Sequence, residues 1–161
     1  MNALSKESLV LIFVLGIACI AGCGPAVKEG DFKVTPLTGK VTLNGSALAD
    51  ADVMFLLQGT APADYFGSAG KTDAQGNFEA MTGTRKGVPA GKYKVVVSKL
   101  VGQDGKAVVN DPSSGMDLEQ MKAGGLVKQA VAPEFSDIAL TTTEVTVEDG
   151  KAPPPLLIDA K

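Results

Sequence analysis

The chain has 161 residues but no histidine and no tryptophan, and its two cysteines, Cys19 and Cys23, both fall within the first 23 positions. Without imidazole it lacks the usual general base near neutral pH and the commonest nitrogen ligand for metals. Beyond Cys23 there is no thiol, so the body has no disulfide and no thiolate metal site, and its stability rests on its core. Cationic side chains are outnumbered, 15 Lys and Arg against 18 Asp and Glu, giving a formal net charge of −3 and a pI near 4.9. Nucleic-acid binding needs a clustered cationic face, and this balance argues against it. No motif implies a cofactor.

One long apolar run is present, Leu9 to Ile20. At about a dozen residues it has the length of a signal-peptide core and falls short of the ~20 that span a bilayer. It follows a weakly charged start with Lys6 and Glu7 and ends in Ile20-Ala21-Gly22-Cys23. An aliphatic residue at −3 and small residues at −2 and −1 before cysteine form the pattern read by bacterial lipoprotein processing. The plainer alternative, an uncleaved signal anchor, does not account for that register. A cut before Cys19 would put Gly16 at −3. Cleavage between Gly22 and Cys23 removes the first 22 of 161 residues, leaving 139 with acylated Cys23 at the new N-terminus. Burial of acyl CH₂ groups gives about 0.8 kcal/mol each, so one chain binds marginally, whereas the three of a fully modified cysteine hold firmly. Gly24 stands where Gram-negative lipoproteins kept in the inner membrane often carry Asp. That likeness points to the outer membrane.

The expected organisation is a signal peptide over 1–22, a lipidated tether over 23–36 and one folded domain over 37–161. Fully extended, the tether reaches at most about 40 Å. Phe32 and Val34 are its only candidates for an earlier start of the fold.

From Leu37 the sequence reads as short strands and turns. Leu37, Val41 and Leu43 alternate with Thr38, Lys40 and Thr42, the period of a half-buried strand. Asn44-Gly45 suits a two-residue hairpin turn with both φ angles positive. Val53 to Leu57 is continuously apolar, as for a strand buried on both faces. Asp73-Ala74-Gln75-Gly76 reads as an Asx-type turn, since a calcium loop would need more acidic residues and a distal Glu. Phe78 and Ala80 then point inward, as do Tyr93, Val95 and Val97 in the best strand, Gly91 to Lys99. Gly87 to Lys92 is only faintly like a phosphate loop, and Tyr93 replaces the Ser or Thr that holds magnesium. Arg85, Lys86, Lys92 and Lys94 form a local basic patch, expected as a solvated strand edge. Residues 101–138 contain no convincing strand and are expected to be a partly helical insertion. Ser114 is its cap, Gly124-Gly125 its stop and Phe135 a packing anchor on return. Thr143, Val145 and Val147 share a face, and Leu156 to Ile158 closes the chain as an edge strand after three prolines.

Six or seven strands spaced by turns indicate an all-β sandwich. The order Gly39-Lys40-Val41-Thr42-Leu43-Asn44-Gly45, then Leu48 to Phe55, Thr72 to Phe78 and Pro89-Ala90-Gly91-Lys92-Tyr93, resembles carboxypeptidase-regulatory-like, transthyretin-like domains. It is particularly similar to those on small lipoproteins of planctomycete-type bacteria. Pro133 to Asp137 before a Thr-rich strand fits the same group, and the likeness covers about Thr38 to Ile158. The resemblance implies a Greek-key sandwich of about seven strands that does not catalyse. Asp50 stands where such domains usually carry Gly. The related purine-pathway hydrolases depend on histidines and a C-terminal Tyr-Arg-Gly-Ser, and the chain has neither.

Together these observations lead to a membrane-attached extracytoplasmic lipoprotein whose sandwich binds an envelope protein or glycan, or serves structural display. Glycan binding would need exposed aromatics, and Tyr65-Phe66 are the best placed. A core position is the plainer expectation for Phe66 and Tyr93. A hydrolase would need two carboxylates about 5–9.5 Å apart in a cleft, with Asp64, Asp73 and Glu79 as candidates.

Overall fold

Alternating burial along the strands determines the architecture. The computed structural model describes residues 31–108 and 118–161. Cys19, Gly22, Cys23 and Ser114 lie outside the described residues. In β1 (Thr38–Leu43), Val41 is buried while Thr38 and Lys40 face solvent. Asn44 (φ 51°) and Gly45 (φ 77°) both take positive φ, turning the chain into β2 (Ser46–Ala47) with Leu43 opposite Ser46. This is the hairpin geometry that Asn-Gly favours. β5 (Asn77–Glu79) pairs antiparallel with β1. β12 (Leu156–Ala160) lies parallel to β1, from Gly39 opposite Leu156 to Leu43 opposite Ala160. These four strands make one sheet.

The second sheet has six strands in the order β11 (Glu144–Val147), β8 (Gly91–Ser98), β3 (Asp52–Gln58), β4 (Ser68–Lys71), β6 (Met81–Thr82) and β7 (Arg85–Lys86). The sheets face one another across a core of Leu37, Val41, Phe78 and Ile158 from one side and Val53, Phe55, Tyr93, Val95 and Val147 from the other. Phe55 meets Phe78 across the gap at 5.9 Å and Tyr93 edge-on at 6.5 Å, separations at which aromatic pairs attract beyond simple burial. The fold is the expected all-β sandwich, with the chain crossing between sheets rather than running up and down one of them.

Three expectations are corrected. The β3 run is buried on one face only: Val53 and Phe55 face the core, but Met54 on the opposite face is 39 % exposed. An antiparallel sheet can leave its outer face to solvent, and here it does so with apolar side chains. The 101–138 stretch is not without strands, because β9 (Leu100–Gly102) pairs antiparallel with β10 (Val127–Gln129). Its helices are α1 (Leu118–Ala123) and α2 (Pro133–Ser136). Gly124-Gly125 stops α1 as expected. Gly125 takes φ 67°, its N–H returns to Lys122 O, and that of Leu126 returns to Met121 O, the paired closure of a Schellman end. The third correction is that β8 is no edge. It lies between β3 and β11, so Lys92 and Lys94 sit on the body of the sheet, whereas Arg85 and Lys86 in the terminal strand β7 lie at its edge as expected.

Asp50 adopts the left-handed φ of 54° that a glycine would supply. Asp tolerates this region better than most residues, and the bend is held by its N–H to Thr72 O at 3.1 Å and by Ala51 N–H to Thr72 Oγ1 at 2.8 Å. Asp50 thus holds a backbone conformation that suits Gly.

Candidate functional site

Strand register separates the sandwich into two ends. Gln58 lies opposite Lys92 and Asp52 opposite Ser98, Phe55 opposite Ser68 and Val147 opposite Gly91. The proximal end therefore gathers Gln58, Gly91 and Val147, with Ser68 at mid-strand where β4 begins on that side. The distal end gathers Asp52, Lys71 and Ser98, with the Asp73–Gly76 turn and the β9–β10 ribbon beyond them.

The N-terminal segment comes in at the proximal end. Phe32 packs edge-on against Tyr65 at 6.0 Å. Arg85 lies 4.2 Å over the Phe32 ring and donates to the Phe32 carbonyl, combining cation–π attraction with a charge-assisted hydrogen bond. Thr35 is buried and bridges Val88 in both directions, and its hydroxyl accepts from Gly150 N–H. Phe32 to Thr35 thus belong to the folded body, although the alternation of the sequence starts the domain at Leu37.

Tyr65 is half-buried and fixed by a chain of hydroxyls. Thr82 Oγ1 donates to Gly87 O at 2.8 Å. Its one proton being spent there, it accepts from Ser68 Oγ at 2.6 Å, and Ser68 in turn accepts from Tyr65 Oη at 3.0 Å. Ser68 and Thr82 are buried, and pairing throughout removes the penalty of burying them. Deeper in, Tyr93 Oη donates to Pro89 O at 2.7 Å. Burial, with Tyr65 close by, pushes the Tyr93 phenol far above its ordinary ionisation range, so it stays neutral.

Phe66 goes the other way. It is 85 % exposed, which overturns the core expectation for it, while Tyr93 is fully buried as expected. Beside it opens a shallow groove of about 470 Å³ lined by Met54, Leu56, Ala69 and Met81, which share the outer face of the six-stranded sheet. Tyr65 and Phe66 therefore form no common aromatic platform: one is a packing and hydrogen-bonding residue, the other a projecting apolar tip.

The candidate carboxylates divide. Asp64 is exposed in the loop before Tyr65, at φ 60°. Asp73 and Glu79 line one open groove of about 700 Å³ with Lys40, Lys71, Asn77 and Leu157. Both are engaged. Asp73 Oδ1 accepts from Gln75 N–H at 2.9 Å and Asn77 N–H at 2.8 Å, and Oδ2 from the Asn77 amide at 3.2 Å. Donation by Asn77, from backbone first and side chain second, holds the Asp73 carboxyl below its ordinary range. The turn is of the expected Asx type. Glu79 pairs with Lys86 at 2.8 Å, which raises the Lys86 ammonium above its usual value.

The basic patch is dispersed by pairing: Lys92 meets Glu144 at 2.7 Å, and Lys94 donates to Ile138 O at 3.2 Å. Where the sequence is faintly like a phosphate loop, Val88 and Pro89 are buried and Tyr93 closes on Pro89 O. Among the described residues, no group of three or more Asp, Glu, His or Cys is placed to hold a metal ion, and no helix is long and apolar enough to cross a membrane.

No protein-family model, curated protein or solved structure matches the chain.

Sequence reasoning missed Phe32 and Arg85 as the pair that locks the N-terminal segment, and Met54 as a surface residue. The available signal was Phe32-Lys33-Val34-Thr35, whose short alternation announces one more extended segment before Leu37.

Proposed function

We propose that the chain is a lipid-anchored extracytoplasmic protein, acylated at Cys23, whose β-sandwich does not catalyse and serves binding or structural display at the cell envelope, at the outer membrane rather than the inner. The observation that carries this reading is Ile20-Ala21-Gly22-Cys23, placed after an apolar run of signal-peptide length and just ahead of a body with no other cysteine. A sandwich whose N-terminal segment is locked in place at Phe32 is compatible with attachment through that terminus. The resemblance to carboxypeptidase-regulatory-like domains supports the same role, with the membrane as one partner and an envelope protein or glycan as the other.

A carboxylate-dependent hydrolase has one feature in its favour, the groove shared by Asp73 and Glu79. A general acid needs a carboxyl raised above its ordinary range, and Asp73 is lowered. Glycan binding has Phe66 in its favour, but the groove beside that ring is lined mainly by Met, Leu and Ala, and sugars need convergent hydrogen-bonding groups.

Metabolic labelling with a fatty acid in the native host, for the wild type and Cys23→Ala, tests the anchor. The expected result is a labelled, membrane-bound wild type and an unlabelled variant released from the membrane. Equal labelling and equal retention would overturn the proposal.

A further inference from the structure

We infer that the proximal end of the sandwich rests on the lipid bilayer, with Phe66 entering the boundary between headgroups and acyl chains. The inference deepens the proposal above and rests on acylation of Cys23.

Tether length sets the first constraint. Cys23 stands nine residues before Phe32, a link that reaches at most about 30 Å when fully extended. Phe32 is locked at the proximal end by Tyr65 and Arg85. The eight residues of β8 cover about 26 Å from one end of the sandwich to the other. Bringing the distal end to the bilayer would pull the link nearly straight along the whole domain. The proximal end reaches the same surface with slack, and a slack chain keeps its conformational freedom.

The second constraint is the chemistry of that end. Single exposed apolar side chains are common on soluble proteins, but Phe66 is not isolated. Met54, Leu56 and Met81 continue the apolar surface from it along the sheet. Its support is rigid, since the preceding Tyr65 is tied through Ser68 and Thr82 to Gly87. The loop leading to it, Gly59 to Tyr65, carries a single charge, Asp64. Of the charges at this end, Lys33 pairs with Asp149 and Lys92 with Glu144. A fixed aromatic with an apolar flank, on a loop whose one charge stays on the solvent side, suits an interface that is apolar below and wet above. The β9–β10 ribbon and the Asp73 turn then face away from the membrane.

The test uses the full-length acylated protein in vesicles of phosphatidylethanolamine and phosphatidylglycerol. Phe66→Cys and, at the distal turn, Ala74→Cys each introduce one thiol for a polarity-sensitive dye, because acylated Cys23 has none free. Both positions are exposed, so neither change disturbs the core. The expected result is about a threefold rise in emission at position 66 on reconstitution, quenched by lipids brominated on their acyl chains, with position 74 unchanged. An aqueous signal at 66 in protein that co-floats with the vesicles would overturn the inference, as would equal responses at both positions. A rise at 66 that brominated lipid fails to quench would assign the tip to a protein contact, such as a second copy, and overturn it as well. Failure of the anchor itself looks different: the wild type would take up dye at Cys23 and would not float.

Discussion

The two ends of the sandwich are held together by different means. At the distal end backbone contacts do much of the work, with the Asp73 carboxylate holding the turn. Gly76 (φ 79°) brings the Asp73 turn against β1, where its carbonyl accepts from Val41 N–H at 2.8 Å. A side chain there would collide with Val41 O and press on Leu48 N. At the proximal end the side chains of Phe32, Tyr65, Arg85, Ser68 and Thr82 add to the backbone bridge between Thr35 and Val88. Backbone closure tolerates almost no substitution but leaves the surface side chains free to vary. Side-chain closure tolerates change of shape but commits several residues at once. The difference suits the proposed attachment, which would fix the proximal end in orientation.

The sharpest way to break this contrast is Gly76→Ala. The positive φ and the collision together are expected to cost about 3 kcal/mol or more. Urea unfolding would show this as a lowered midpoint with an unchanged slope. A loss below about 1 kcal/mol would mean that the turn relaxes away from β1. Next in size is Tyr65→Phe, which leaves the Ser68–Thr82–Gly87 chain one donor short. The expected cost is about 1 kcal/mol, with faster amide exchange confined to residues 64–68. Exchange that quickens across the whole sheet would show that the hydroxyl chain supports more than its own end.

The smallest effect concerns pH. The Asp73 carboxyl sits below its ordinary value of 3.8, chiefly through Asn77 donation. A folded-state value lower than the unfolded one adds stability that is complete well above 3.8. That stability is lost as the pH falls past 3.8 and through the lower folded value. Asp73→Asn removes this contribution, so urea midpoints of the variant should fall less steeply than those of the wild type between about pH 5 and 2. Parallel slopes would show that the exposed turn ionises as freely in the folded protein as in the unfolded one.

What the sequence reveals about these ends follows from how local each feature is. Alternation in β1 and β8, the Asn44-Gly45 hairpin, the Asx turn at Asp73 and the Gly124-Gly125 stop are written in neighbouring residues, and all appear where expected. The outer face of β3 is not written there. Val53 to Leu57 is apolar throughout, and whether its second face is covered depends on what the rest of the chain supplies. Pairing of β9 with β10 joins Val101 to Lys128, a separation that no local pattern announces. The loop tip shows the same limit in two adjacent residues. Tyr65 and Phe66 look alike in sequence, but Tyr65 finds Phe32 and Ser68 whereas Phe66 meets solvent. The proposed signal at Cys23 is a different case, since a processing signal is read as linear sequence and the fold does not bear on it.

The parallel pairing of β1 with β12 has a mechanical consequence. The first long strand and the last run the same way, matched over five residues from Gly39–Leu156 to Leu43–Ala160. If the N-terminus is held by acyl chains and β12 is tugged away from the membrane at its C-terminal end, the two strands are loaded along their length. Their hydrogen bonds then share the force in shear instead of opening one at a time like a zipper. A body built this way bears tension between a surface and whatever grips its far end.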